Sequence, residues 1–233
     1  MIVIPAIDLR GGKCVRLFRG DPNAQTTYEA DPVETAVRFE REGARRLHLV
    51  DLDAALGTGS NHEVVVAICR SVAVPVQLGG GLRTLDAVER ALEDGAARAI
   101  LGTAAALDAA FVTKAVERFR DRIVVALDVQ DDRVMVRGWR EAGPPVEETL
   151  RDLAAAGTPR FLATSVQQDG TMDGPDFALY EHLVGSTEVP IIASGGVRKA
   201  DDVWRLRELG VEAAVVGKAL YSGTMHLSEV VRG

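Results

Sequence analysis

Residues 75–107 read PVQLGGGLRTLDAVERALEDGAARAILGTAAAL, and a similar stretch occurs a second time in the chain. Shifted by 115 positions, it aligns without a gap with residues 190–222, PIIASGGVRKADDVWRLRELGVEAAVVGKALYS. Of the first 30 aligned positions 12 are identical, whereas chance matching of average compositions gives only about two. Each copy contains an apolar run, paired glycines, an amphipathic pattern, a second apolar run and a further glycine. The chain therefore contains an internal duplication.

The duplicated unit predicts buried parallel strands, each followed by a glycine turn and a helix. Its apolar runs have the length of buried strands. Thr84 is a candidate N-cap, and Leu85, Val88 and Leu92 share one helix face. Paired glycines let the backbone approach a ligand closely, and clustered amide N–H groups bind anions. The sequence therefore predicts one anion site in each half, formed by Gly80, Gly81, Gly102 and Thr103 in the first and by Gly195, Gly196, Gly217 and Lys218 in the second.

The alternation of apolar runs and helical patterns predicts an α/β fold, a (βα)₈ TIM barrel with a two-fold half-barrel repeat. A doubly wound open sheet is the alternative, but a repeat of nearly half the chain favours closure. No low-complexity linker interrupts the 233 residues, so we expect one domain with half-barrels at roughly 1–120 and 121–233. The predicted strands are 2–7, 46–52, 74–78, 97–101, 123–127, 161–164, 189–193 and 213–216, and helices are expected to begin near Asp31, Asn61, Thr84, Asp108, Pro145, Asp176, Lys199 and His226.

Composition and charge exclude several classes of function. A net charge of −7 without a dense basic face argues against nucleic-acid binding. No apolar run is long enough to span a membrane, and Met1 leads directly into a strand without a signal peptide, so we expect a cytoplasmic location. Cys14 and Cys69 predict reduced thiols, and the four histidines lack metal-ligand spacing, with only His48 worth closer inspection. No apolar surface stripe is evident, so a monomer is expected.

Three aspartates are candidates for proton transfer at the mouth of the predicted barrel, where the strands end. Asp8 follows the first apolar run and Asp128 the fifth, which places them on opposite sides of the mouth. A poorly solvated carboxylate has a raised pKa, and two carboxylates in different surroundings can serve as base and acid. Each could instead cap a turn. Asp169, after the sixth strand, belongs to an Asp-Gly pair that is also a turn signal, but its position between the anion sites favours a function.

Seven stretches, in order along the chain, resemble the phosphoribosylformimino-aminoimidazole-carboxamide ribotide isomerases of histidine biosynthesis. The similarity extends from Ile2 to about Tyr221. SNHE at 60–63 and QTTYEADPVE at 25–34 particularly resemble the bifunctional phosphoribosyl isomerases, which also serve tryptophan biosynthesis. The seven stretches are IPAIDLRGGKCVRL (4–17), LHLVDLDAALG (47–57), VQLGGGLR (76–83), ALDV with RGW (126–129, 137–139), DGTMDGP (169–175), IASGGV (192–197) and VVGKALY (215–221).

The resemblance implies an Amadori rearrangement of an aminoaldose that carries a phosphate at each end, with no metal and no redox cofactor. A general acid opens the ribose ring, and a general base moves a proton from the adjacent carbon. By resemblance Asp8 is the base, and the acid is either Asp128 or Asp169. We favour Asp169 for ring opening and Asp128 for binding or proton relay. Thr164 and Ser194, at the ends of predicted strands, and Arg83, after the first glycine pair, are further candidates for substrate contacts.

Three further residues match positions that switch between substrates in the bifunctional branch. These are Arg16, Arg137 and Trp139. An indole can stack on a carboxamide-bearing ring, and an arginine can pair with the carboxylate of an anthranilate. The plain alternative is an exposed arginine and a half-buried tryptophan.

The chain departs from the family pattern at the end of the sixth strand, where Thr-Asp-Ile is usual. Here Ser165 follows Thr164, so an acid is missing beside Asp169. Its charge would raise the pKa of a neighbouring carboxyl group, so its loss leaves open whether both substrates are used. Two other functions are less favoured. Residues 4–17 differ from the related imidazole glycerol phosphate cyclase, and a non-catalytic bisphosphate sensor would have no use for carboxylates at opposite strand ends.

Overall fold

Eight parallel strands close into a barrel in the computed structural model, which describes residues 1–28 and 30–231. The first strand pairs with the last, at Ile2 with Ala213, and the fifth and sixth strands pair at Val125 with Phe161. These two pairings exclude the open sheet and confirm the predicted (βα)₈ barrel. The barrel strands are β1 (Ile2–Arg10), β4 (Leu47–Asp51), β5 (Val76–Gly79), β6 (Arg98–Leu101), β7 (Ile123–Gln130), β10 (Phe161–Ser165), β11 (Ile191–Ser194) and β12 (Ala213–Val216).

Helices follow the barrel strands and cover the outer surface of the barrel. Four of the residues near which helices were expected to begin, Asp31, Thr84, Asp108 and Asp176, are N-caps whose side-chain oxygens accept a backbone N–H. The helix expected near His226 is only a 3₁₀ turn at Leu227–Glu229. The helices are α1 (Pro32–Arg41), α2 (Leu52–Leu56), α3 (His62–Ser71), α4 (Leu85–Glu93), α5 (Thr103–Leu107), α6 (Ala109–Phe119), α7 (Val146–Ala155), α8 (Phe177–Ser186), α9 (Ala200–Glu208) and α10 (Lys218–Tyr221), with a further 3₁₀ turn at Arg120–Arg122.

Two antiparallel extensions were not predicted from the sequence, and they occupy equivalent places in the two halves. After β1 the chain forms β2 (Lys13–Phe18) and β3 (Asp21–Thr27), and after β7 it forms β8 (Arg133–Val136) and β9 (Glu141–Pro145). Asp8 and Asp128 therefore do not end their strands, as the sequence had suggested. The strands run on to Arg10 and Gln130 because the following antiparallel strand hydrogen-bonds to them.

Side chains alternate between the inside and the outside of the barrel, as the period of a β-strand requires. The outward residues pack against the helices in one large apolar cluster. The inward residues form a second, smaller cluster that fills the middle of the barrel with apolar side chains. Its buried members are Ile4, Ala6, Ile100, Val124, Ala126, Leu162, Ile192, Ala213 and Val215. His48 and Gln77 interrupt this apolar interior at the level of Ala6, where they hydrogen-bond to each other.

A polar network joins the loop between α2 and α3, and the turn between β1 and β2, to β4, the second barrel strand. The Asp51 carboxylate accepts hydrogen bonds from the backbone N–H of Asn61 at 2.7 Å and from its side-chain amide at 2.7 Å. The same amide nitrogen donates to Asp53 at 2.9 Å, and the side-chain oxygen Oδ1 of Asn61 accepts from the backbone N–H of Gly12 at 2.8 Å. Asp53 also accepts from Gly11 at 2.7 Å. Asp51 therefore has a structural role at its strand end.

Replacing Asn61 with alanine should lower the free energy of unfolding by about 1–3 kcal/mol, since Asp51 and Asp53 each lose a hydrogen bond from the side-chain amide and the Gly12 N–H loses its acceptor. Urea unfolding measures the change. The matched control is Asn23→Ala on the exposed β3, whose effect should stay within about 0.5 kcal/mol. Equal effects of the two substitutions would contradict the proposed network.

Candidate active site

A cavity of about 270 Å³ opens at the C-terminal ends of the barrel strands, where (βα)₈ barrels place their chemistry. Asp8, Asp128 and Asp169 all line it, so the three carboxylates selected from the sequence come together. Gly80, Gly81, Arg83, Gly102, Thr103, Trp139, Thr164 and Ser194 line the same cavity. A smaller neighbouring pocket contains Gly195, Gly196, Gly217 and Lys218, together with Arg16 and Asp169, which reach both spaces.

Arg16 joins two of the three carboxylates. It lies on β2, whose antiparallel pairing with β1 places it above the mouth. Its Nη1 atom lies 2.6 Å from Asp8 Oδ2, and its Nη2 atom lies 4.0 Å from Asp169 Oδ1. All three side chains are only 12–13% exposed. Burial alone lowers the pKa of Arg16, but the two carboxylates raise it above its ordinary value, so the guanidinium stays charged.

Asp128 lies in the surroundings that most favour a protonated carboxyl group. Burial raises its pKa from 3.8 to about 6, and the neighbouring Trp139 and Thr164 side chains, which are donors toward the ionised form, oppose part of that rise. No ion pair joins Asp128 to a cation within residues 1–28 and 30–231. Burial also raises the pKa of Asp169, but there Arg16 and Lys218 act in the opposite direction. The two buried carboxyl groups therefore differ in their neighbouring cations.

The first glycine turn follows β5 and has a backbone conformation that side chains rarely permit. Gly80 and Gly81 have φ angles of +106° and +73°. A Cβ atom at Gly80 would overlap the backbone of Asp51, so glycine is required on steric grounds as well. Gly102 follows β6 beside this turn and begins α5. The Thr103 hydroxyl accepts a hydrogen bond from the backbone N–H of Arg137 at 2.9 Å. The Arg83 guanidinium donates to the Ala55 carbonyl at 2.8 Å.

The second glycine turn repeats this geometry after β11. Gly195 and Gly196 have φ angles of +100° and +81°, and a Cβ atom at Gly196 would overlap the Gly174 backbone. Gly217 precedes α10, as its counterpart in the first half precedes α5. Lys218 Nζ donates to the Gly170 carbonyl at 2.7 Å. The duplicated sequence thus folds into two turns of the same shape.

The structure separates the residues that the sequence linked to substrate choice. The Trp139 indole packs on Gly20, in the turn between β2 and β3, and lines the cavity. Arg137 instead points away and pairs with Glu141 at 2.9 Å, with its side chain 66% exposed. The cavity therefore has an aromatic wall but no guanidinium from Arg137.

Ser165, where the sequence departs from the family pattern, lies on the outer side of β10. Its neighbour Thr164 faces the cavity, so the alternation of the strand turns Ser165 away from it. Ser165 Oγ lies 3.5 Å from a carboxylate oxygen of Asp176, the N-cap of α8. An aspartate at this position would face Asp176 across the outer layer, not Asp169 in the mouth.

His48 lines the cavity, although the sequence gave no chemical reason to include it in the site. Its Nδ1 atom accepts a hydrogen bond from the Gln77 amide at 3.0 Å. Burial lowers the pKa of His48 to about 4, so the ring is neutral near neutral pH. The available signal was its position between outward Leu47 and Leu49 on a buried strand, which places it inside the barrel.

Three carboxylates between two glycine turns at the mouth of the barrel are typical of (βα)₈ barrels that bind a small molecule there. Residues 2–226 match the family model described as histidine biosynthesis protein, and the chain belongs to this family.

Relatives with high identity carry the name 1-(5-phosphoribosyl)-5-((5-phosphoribosylamino)methylideneamino)imidazole-4-carboxamide isomerase. One from Desulforudis audaxviator is 45% identical, over 99% of this chain and 90% of that protein. One from Roseiflexus sp. is 46% identical, over 99% and 98%. One from Thermus thermophilus is 45% identical, over 98% of each chain. In the part of the chain that the structure describes, none of the helices combines the length and apolarity that crossing a membrane requires.

Asp128→Asn should stabilise the fold at pH 8. The folded-state pKa of about 6 lies above the ordinary 3.8, so the free energy of unfolding falls as the pH rises between these values. The neutral amide does not have to be ionised in the buried site. The free energy of unfolding should therefore rise by about 1–2 kcal/mol above pH 6, and should not change below pH 4. Thermal unfolding at both pH values measures it. Exposed Asp152→Asn is the control, and a less stable Asp128→Asn protein at pH 8 would contradict the assignment.

Proposed function

We propose that the chain catalyses the Amadori rearrangement for which these relatives are named, converting a bisphosphorylated aminoaldose to the aminoketose. The relatives share 43–46% identity over nearly the full chain. The observation that carries the proposal is the arrangement of the mouth, where two glycine turns of the same shape flank three carboxylates. Each turn would hold one phosphate of a single substrate.

The two phosphate sites would position the sugar for reaction. Gly80, Gly81, Gly102, Thr103 and Arg83 would surround one phosphate, and Gly195, Gly196, Gly217, Lys218 and Ser194 the other. Backbone N–H groups of such turns are natural donors to phosphate oxygens. A substrate held at both ends loses its freedom before the reaction begins, which lowers the barrier to the chemical steps. The sugar would then lie between the carboxylates.

We assign ring opening to Asp128. Its proton would pass to the ring oxygen as the C1–O bond breaks, and the nitrogen lone pair would form the C1=N bond. A carboxyl group with a pKa of about 6, and without an ion-paired cation in the described part of the chain, is suited to donate a proton near neutrality. This differs from the preference for Asp169 drawn from the sequence. Asp169 lies closer to cations, which favour its ionised form, and we assign it to positioning Arg16.

We assign the second step to Asp8 as general base. It would remove the proton from C2, and the electrons of that bond would form C1=C2 while the C1=N electrons return to nitrogen. The enolamine then becomes the ketose when the C2 hydroxyl loses its proton and C1 gains one. Arg16 lies 2.6 Å from Asp8 and would hold that carboxylate in place beside the substrate. Proton transfers between side chains and substrate account for the whole reaction.

The wall of the cavity favours the imidazole-carboxamide substrate over phosphoribosylanthranilate. Trp139 is in place to stack on a carboxamide-bearing ring. An anthranilate carboxylate would need Arg137, whose guanidinium is paired with Glu141. Activity on the second substrate is therefore proposed to be the weaker one. We further propose that the chain acts as a single-domain monomer in the cytoplasm.

Asp8→Asn should lower turnover of the imidazole-carboxamide aminoaldose by at least about two orders of magnitude, because an amide cannot accept the C2 proton. Steady-state assays with both aminoaldoses on the same preparation measure it, and wild-type kcat/KM should be lower with phosphoribosylanthranilate. Asp152→Asn, on the exposed face of α7, is the control and should leave both rates unchanged. Near-normal turnover by Asp8→Asn would overturn the assigned base.

Thr164→Val should move the alkaline limb of the pH dependence of kcat/KM to higher pH. The lost hydroxyl stabilises the ionised Asp128, so its removal raises the pKa of the acid, and activity falls only when that acid is deprotonated. Thr158→Val, at a buried threonine away from the mouth, controls for the loss of a hydroxyl. An unmoved limb would argue for Asp169 as the acid.

A further inference from the structure

Three arginines enter the floor of the barrel, the end opposite the proposed active site. Arg46 immediately precedes β4, Arg98 begins β6 and Arg160 immediately precedes β10. These are the second, fourth and sixth barrel strands, so the arginines come from alternate strands. Alternate strands of a (βα)₈ barrel contribute side chains to the same interior layer. The three residues therefore belong to one layer at the lower end of the barrel.

The alternation of each strand directs these side chains inward. Arg98 shares the face of Ile100, and Arg160 shares the face of Leu162, both members of the inner apolar cluster. Arg46 is two residues before His48, which lines the cavity above. The guanidinium groups thus converge beneath the apolar centre, where the surrounding dielectric constant is low and like charges repel strongly.

The acceptors around this layer do not balance its charge. Glu212 accepts a hydrogen bond from Arg160 Nε at 3.2 Å, and Arg160 also donates to the Asp121 carbonyl at 3.1 Å. Neither Arg46 nor Arg98 donates a side-chain hydrogen bond to any residue within 1–28 and 30–231, and Arg46 Nε and Nη1 are covered from solvent. The neighbouring Arg122 is held by the chain itself, since its Nε and Nη2 atoms donate to the carbonyls of Leu92, Ala96 and Ala97.

The protonation equilibria agree with this geometry. Burial, together with the charges of Arg46 and Arg160, lowers the pKa of Arg98 to about 10, and the opposing effects of Glu212 and Asp121 are smaller. Burial and Arg160 lower the pKa of Arg46 in the same way. The three guanidinium groups therefore act on one another as a single charged layer.

We propose that the barrel floor binds a small tetrahedral oxyanion, phosphate or sulfate, between Arg46 and Arg98. Guanidinium groups bind such anions through paired N–H donors. Turning either side chain onto an anion breaks no hydrogen bond, because neither makes one within the described residues. The anion would balance the layer and join the ends of β4 and β6. This site is separate from the two glycine turns and does not depend on the proposed reaction.

Selenate soaked into crystals of the whole protein locates the site by anomalous diffraction. We expect a peak between Arg46 and Arg98 that disappears in Arg46→Met, a variant of similar length without charge. Absence of the peak from wild-type crystals, or its persistence in Arg46→Met, would overturn the proposal. If Arg46→Met does not fold, Arg98→Met provides the same comparison.

Thermal unfolding at constant ionic strength gives the corresponding measurement in solution. Sulfate at about ten times its Kd should raise the Tm of the wild type by roughly 3–6 °C more than that of Arg46→Met. Taking the difference removes the contribution of sulfate bound in the glycine turns, which both proteins share. Arg151→Met, on the exposed face of α7, should retain the full rise. If Arg46→Met retains the full rise as well, the site does not exist. The variant should keep wild-type kcat/KM, since the floor lies opposite the mouth.

Discussion

The closure of eight strands into a barrel places each side chain of the sheet either inside or outside the barrel, and the rest of the structure depends on this arrangement. The outside is covered by helices and is largely apolar. The inside is apolar only in its middle. Charged groups that face inward must therefore lie at one end or the other, with aspartates at the mouth and arginines at the floor. The apolar centre between them separates two charged layers of opposite sign.

The sequence was sufficient for the fold and for most of the candidate site, because both depend on local patterns that repeat. The glycine pairs at Gly80 and Gly195 marked turns that need positive φ, and the apolar runs marked buried strands. The β2–β3 and β8–β9 extensions were missed because β3 and β9 are polar or rich in glycine and proline, and β2 and β8 are short runs close behind a barrel strand. Their pairing depends on the edge that β1 and β7 offer above the barrel, which is a property of the assembled sheet.

What could not be predicted follows from contacts between distant parts of the chain. Arg16 reaches Asp169 only because β2 folds back over the mouth. The orientation of Ser165 follows from the register of β10, which a family pattern does not reveal. The electrostatic difference between Asp128 and Asp169 depends on which cations surround each carboxylate, and those cations come from other elements. Sequence patterns therefore selected candidate residues, whereas the roles proposed for them depend on the assembled structure.

The glycine turns also pack closely against the neighbouring segments of the chain. A side chain at Gly80 would strike Asp51 at the end of β4, and one at Gly81 would strike Ala54 in α2. In the second half, a side chain at Gly195 would strike Ser165 at the end of β10, and one at Gly196 would strike Gly174 before α8. Each turn therefore locks two adjacent loops into one rigid rim. Selection on these four positions acts through assembly of the rim as well as through ligand affinity. Their retention in a diverging gene would accordingly be a poor measure of whether phosphate binding has been kept.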